Sequence, residues 1–114
     1  MKKIVVIDYE CGNLLSLYRA IEFIGHKAEV TKDKQKIMNA THLILPGVGA
    51  FGHAMDKLEK FNLKETIKNY ADLKKPLLGI CLGMQALFSK SNEFGVTEGL
   101  DMIKGEVIKI ESSD

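Results

Sequence analysis

The sequence predicts an open, parallel α/β sheet covered by helices on both faces, and three observations carry that prediction. Short apolar runs alternate with longer stretches whose apolar residues follow helical spacing, the pattern of βαβ units. The connections between them are short, which sets successive strands parallel through right-handed crossovers. Asp8, the segment 46–49 and Cys81 each follow an apolar run, at the strand ends where such sheets bind ligands.

Residues 3–7 are a short apolar run ending at Asp8, a buried strand that delivers a polar residue at its C-terminal end. From Asn13 the period lengthens: Leu14, Leu17, Tyr18, Ile21 and Ile24 mark a helix, and Gly25 stands where its C-cap belongs. Residues 27–30 read as a second strand and 34–39 as a weak helical turn. Residues 42–45 give a third strand, broken by Pro46-Gly47-Val48-Gly49. Phe51, Ala54, Met55, Leu58, Phe61, Ile67 and Tyr70 predict a largely helical stretch over 51–70, interrupted near Asn62. Residues 76–80 are a fourth strand and 82–90 a following helix. A last strand is expected over 107–110, entered from a turn around Lys104-Gly105.

The 114 residues suit one domain, and 46% apolar with 27% charged residues is an ordinary balance for a folded chain. Sixteen Lys+Arg against 15 Asp+Glu leave a formal charge of +1, which argues against nucleic acid or a membrane surface as partner. The apolar run at the N-terminus is too short for a signal peptide. Cys11 and Cys81 match no Cys-x-x-Cys spacing, so no metal or cofactor is expected and a reduced, cytoplasmic protein is the simplest expectation.

Gly79-Ile80-Cys81-Leu82-Gly83 follows an apolar strand and precedes a helix, the layout of a nucleophile elbow with sulfur in place of oxygen. A sharp strand-to-helix turn strains its central residue and requires that neighbouring side chains be absent, which glycine provides. The helix N-terminus then favours a thiolate, and the Leu82 N–H faces any oxyanion formed by attack. The same pentapeptide also fits a structural cysteine between two packing glycines. Pro46-Gly47-Val48-Gly49 is either an ordinary turn or a loop able to aim a second N–H at that oxyanion. Asn13 is a credible N-cap, and Cys11 reads as a small packed residue. Gln85 follows Cys81 by one helical turn, facing either the same pocket or solvent. His26, His42 and His53 all precede Cys81, and none sits in a convincing context for a base.

Asp8-Tyr9 with Gly12-Asn13-Leu14, then Leu45-Pro46-Gly47-Val48-Gly49-Ala50-Phe51-Gly52, then Gly79-Ile80-Cys81-Leu82-Gly83-Met84-Gln85 closely resemble the class I (triad type) glutamine amidotransferases. Within these they are most similar to the glutaminase subunits of imidazole glycerol phosphate synthase, with Glu93, Gly95, Gly99-Leu100 and Gly105 continuing the pattern. The resemblance implies a flavodoxin-like fold and hydrolysis of glutamine to glutamate and ammonia. Cys81 would form a γ-glutamyl thioester, and the oxyanion would rest on the N–H of Leu82, joined by that of Val48 if its peptide flips. Gly49 and Gln85 would contact glutamine. Asp8, Tyr9 and Asn13 would face a (β/α)8-barrel cyclase, a heterodimeric partner that receives ammonia and serves the histidine and purine routes.

Two departures accompany the resemblance. Glu10 stands where the family often has a small residue, and no histidine follows Cys81, whereas the family places a His-x-Glu pair well downstream. Losing a general acid or base forfeits roughly 10²–10⁴ in rate, so the chain alone is expected to be nearly inactive. It is expected to be the N-terminal portion of a single amidotransferase domain. The alternatives are a related subunit serving another synthase, such as one of surface-polysaccharide assembly, and a catalytically silent interaction domain that keeps the motifs.

Overall fold

The apolar runs do become neighbouring parallel strands. In the computed structural model, which describes residues 1–110, the elements are β1 (Ile4–Ile7), α1 (Leu14–Phe23), β2 (Ala28–Thr31), α2 (Lys34–Met38), β3 (His42–Leu45), α3 (Phe51–Lys60), α4 (Lys64–Asp72), β4 (Leu77–Gly79), α5 (Leu82–Ala86), β5 (Phe88–Ser91), β6 (Thr97–Glu98) and β7 (Ile103–Val107). The main sheet has the order β2-β1-β3-β4, and every pairing in it is parallel. This is a flavodoxin-like order, in which β1 lies between β2 and β3 and the chain reverses the side on which it adds strands. The crevice outside the ends of β1 and β3 is therefore the place for a ligand.

Strand alternation divides the core in two. Val5, Ile7, Leu43 and Leu45 point to one face, where they meet Ile37 of α2, Leu58 of α3, Ile67 of α4 and Leu82 of α5. Val6 and Ile44 point to the other, where Ile21 of α1 packs on them. Helices thus cover both faces, but unequally, and Leu78 on the α1 side stays exposed.

The helix ends follow the sequence closely. Gly25, at φ +92°, closes α1 with its N–H on the Glu22 carbonyl, while the His26 N–H reaches Ile21. Asn62, at φ 57°, closes α3 in the same Schellman pattern, with Leu63 N–H on Leu58 O. Buried Leu58 and Leu63 stabilise that break in the 51–70 stretch.

The C-terminal part corrects two expectations. The helix expected over 82–90 ends at Ala86, and residues 88–91 instead form β5, the centre of a second sheet of order β6-β5-β7. Pairing with β7 decides this, and distant pairing leaves no helical or strand period to read in so short a run. The strand expected over 107–110 is β7 at 103–107, and Lys104-Gly105 is not a turn before it. Between its pairings with Phe88 and Lys90, β7 advances from Ile103 to Glu106, one residue more than its partner strand. Gly105, at φ +147°, lies in that bulge and donates its N–H to the Ser89 hydroxyl.

Candidate active site

The bend after β4 raises Cys81 out of the sheet. Its backbone, at φ 54° and ψ −119°, lies where L residues rarely go, a strain of about 1–3 kcal/mol that surrounding structure must hold in place. The glycines on either side show how. A Cβ on Gly83 would run into the Leu45 carbonyl at the end of β3, and one on Gly79 would lie 2.7 Å from the Met84 Cα. The elbow is therefore pressed onto β3, and the Ile80 N–H donates to Leu45 O at 2.9 Å. Cys81 is exposed at its crest.

The segment 46–49 leaves β3 directly against this elbow. A Cβ on Gly47 would meet the Tyr9 hydroxyl, Gly83 N at 3.0 Å and the Leu82 Cβ at 3.0 Å. Gly49, at φ +109°, has open space around it, and the Val48 side chain is exposed.

Both amides expected to serve an oxyanion already have partners. Leu82 N–H donates to Gly47 O at 3.2 Å, and Val48 N–H donates to Cys11 O at 2.7 Å. The Gly47 carbonyl and the Val48 N–H belong to one peptide group. A single rotation of that group would free the Leu82 N–H and release the Val48 N–H together. In the conformation seen here the Val48 N–H does not serve the thiol.

The segment 8–13 is the third component. Tyr9 was expected to face a partner, and the structure corrects this: it is 1% exposed, and its hydroxyl donates to Pro46 O. An aromatic ring after the buried end of β1 gains more from the core than from solvent. Burial, and then the adjacent Cys11, push the phenol well above its ordinary value of 10. Asp8 accepts the Glu10 N–H at 3.2 Å, and Asn13 caps α1 by accepting the Ser16 N–H at 3.4 Å. Gln85 is half-buried one turn beyond Cys81. His26 and His42 stand before β2 and at the start of β3, the edge of the sheet opposite Cys81, and His53 is exposed in the first turn of α3. Among the described residues no side chain hydrogen-bonds to the Cys81 thiol, and no cluster fit for a metal ion exists.

Sequence reasoning missed three contacts. The Cys11 carbonyl holds Val48, Lys57 Nζ lies 3.0 Å from Glu10 Oε1, and the Glu93 carboxylate accepts the Phe51 N–H at 3.3 Å at the start of α3. A backbone acceptor has no signature in sequence. Pairs 42 or 47 residues apart become visible only once the fold is known.

A family profile described as "Glutamine amidotransferase class-I" matches residues 5–112. The imidazole glycerol phosphate synthase subunit HisH of Carboxydothermus hydrogenoformans is 50% identical over 109 residues, which is 96% of this chain and 55% of that relative. The HisH subunit of Lactococcus lactis subsp. lactis is also 50% identical, over 100% of this chain and 56% of its own length. The chain spans about half the length of the curated relatives it matches. A solved glutamine amidotransferase superposes with a TM-score of 0.76 at 17% identity, covering 91% of this chain and 55% of that one. A putative peptidase E from Listeria monocytogenes gives 0.72 at 12%, over 90% of this chain and 63% of that one. These two likenesses establish the shared fold, and no helix among the described residues is long and apolar enough to cross a membrane. With the profile running over nearly the whole sequence, the chain belongs to the class-I glutamine amidotransferases.

Proposed function

We propose that this chain carries the nucleophile half of a glutaminase that supplies ammonia to imidazole glycerol phosphate synthase. The observation that carries the reading is the strained, exposed Cys81 next to Leu82, whose N–H is held by the carbonyl of the same peptide that carries the Val48 N–H. The relatives named as HisH subunits of that synthase, of whose length this chain spans about half, support the choice of synthase.

In this reading the Cys81 thiolate attacks the carboxamide carbon of glutamine, and the carbonyl π electrons move onto oxygen. The Gly47–Val48 peptide turns, and the N–H groups of Val48 and Leu82 hold the resulting oxyanion. Collapse expels ammonia once its nitrogen has gained a proton, leaving a γ-glutamyl thioester that water hydrolyses to glutamate and free thiol. Gly49, with open space above it, and Gln85 would line the bound glutamine. No histidine of this chain is positioned as the proton carrier, so the chain alone should turn over slowly, by roughly 10²–10⁴ relative to a complete triad. Asp8 and Asn13, at the rim of the same strand ends, would border the surface that meets a (β/α)8-barrel partner, with the reaction set in the cytoplasm.

A glutamine-mimicking electrophile followed by peptide mass mapping tests the reading. One adduct on Cys81, with Cys11 spared, is expected. Equal labelling of both cysteines, or no labelling of a folded sample, would favour a silent interaction domain instead.

A further inference from the structure

The segment 8–13 is tied to the rest of the fold by very little. Asp8 still donates its N–H to Thr31 O on β2, but from Tyr9 to Gly12 the backbone makes, among the described residues, one hydrogen bond to another part of the chain, from Val48 N–H to Cys11 O. Two side chains supply the remaining polar ties. The Tyr9 hydroxyl holds Pro46 O, at the entry to the glycine loop. The Glu10 carboxylate holds Lys57 on α3, the helix that begins at Phe51 just beyond the loop's exit. The short segment 9–11 thus grips the loop 46–50 at its entry, at its middle and, through α3, beyond its exit.

Glu10 itself stands at φ 66°, a left-handed conformation that a side chain other than glycine adopts at a cost. Its side chain is half exposed, whereas the Lys57 side chain is only 23% exposed. Burial raises the Cys11 thiol, and the charge of Lys57 acts on it in the opposite sense. The hydrogen bond to Lys57, then its charge, hold the Glu10 carboxyl below its usual range, with Lys60 and Lys32 adding to the same field.

We infer that Lys57 is a positioning residue: through Glu10 it holds the Cys11 carbonyl on the Val48 N–H and so sets how readily the Gly47–Val48 peptide turns. This rests on the glutaminase reading only for its consequence, since the turned peptide is the form that would receive an oxyanion. Partly exposed ion pairs are weak, so the device adjusts an equilibrium and does not lock it. It is also accessible, so any surface that engages Glu10 with its own cation would loosen the loop.

Amide hydrogen exchange followed by NMR on this chain tests the inference, reading Val48 against Val6 in the middle of β1. K57M, which keeps the aliphatic stem, and E10Q should each speed exchange at Val48 about two- to fivefold and leave Val6 unchanged. Added salt should do the same to the wild-type protein and nothing further to K57M. Should a single variant loosen Val6 as well, the swapped pair E10K/K57E decides: protection restored at Val48 supports the ion pair, and protection not restored overturns it. Unchanged Val48 exchange in a folded K57M also overturns it. Cys81 labelling by the glutamine-mimicking electrophile is the second readout, expected to quicken by the same factor. Faster exchange without faster labelling would keep the latch and count against the glutaminase reading, whereas labelled Cys81 with unaltered exchange would do the reverse.

Discussion

The two glycine-bearing turns at the site are built on opposite terms. The elbow at 79–83 is held by contact: added methyl groups on Gly79 and Gly83 would strike the backbone of Met84 and of Leu45. The loop at 46–49 meets the elbow at Pro46 and Gly47, and beyond that it is held by hydrogen bonds, with Gly49 in open space. A nucleophile needs a fixed position, whereas an oxyanion donor that now points elsewhere needs freedom to turn. The difference gives each part the mechanics its proposed role requires. Close packing makes a rigid seat, and a loop secured by a few polar contacts can exchange one conformation for another.

Substitutions at the glycines test this contrast where the effect is largest. G83A should destabilise the fold by at least about 4 kcal/mol, because the obstacle is backbone that cannot move aside, and urea denaturation would show it. G47A should also destabilise, by about 1–3 kcal/mol, as Tyr9 and Leu82 have side chains that can yield in part. G49A should be milder, about 1 kcal/mol, since only the left-handed backbone resists it. An order reversed between G83A and G49A would break the distinction between a packed turn and a bonded one.

Tyr9 sharpens the comparison with a smaller effect. Y9F removes the hydroxyl from Pro46 O and should lower stability by about 0.5–1.5 kcal/mol, measured in the same denaturation series. Its pH dependence is distinctive. The unfolded phenol ionises near its ordinary value of 10, while the buried one resists ionisation. The contribution is therefore complete below about pH 10 and is lost as pH rises above it. Y9F should flatten that alkaline fall, leaving the share of Tyr70, which burial also raises.

The main sheet was legible because its two central strands state their own burial. Ile4–Ile7 and His42–Leu45 are apolar throughout their centres, and Gly25 and Asn62 mark the helix ends by backbone chemistry that reads locally. The second sheet was not. Phe88-Ser89-Lys90-Ser91 carries no clear period, and it is a strand only because β6 and β7 lie on either side of it. At the site, the elbow and the glycine loop were visible as glycine patterns around a nucleophile. What they touch was hidden. Tyr9 turning inward, the Cys11 carbonyl on Val48 and Lys57 on Glu10 depend on how β1, β3 and α3 come together.

The claim at the centre of this account is that the exposed thiol and the adjoining loop together make a seat for glutamine. The direct measurement is the rate of Cys81 alkylation by iodoacetamide as L-glutamine is added. Saturable protection of Cys81 by L-glutamine, with none from D-glutamine and none at Cys11, is the predicted result. Alkylation that proceeds at one rate at every glutamine concentration would contradict it.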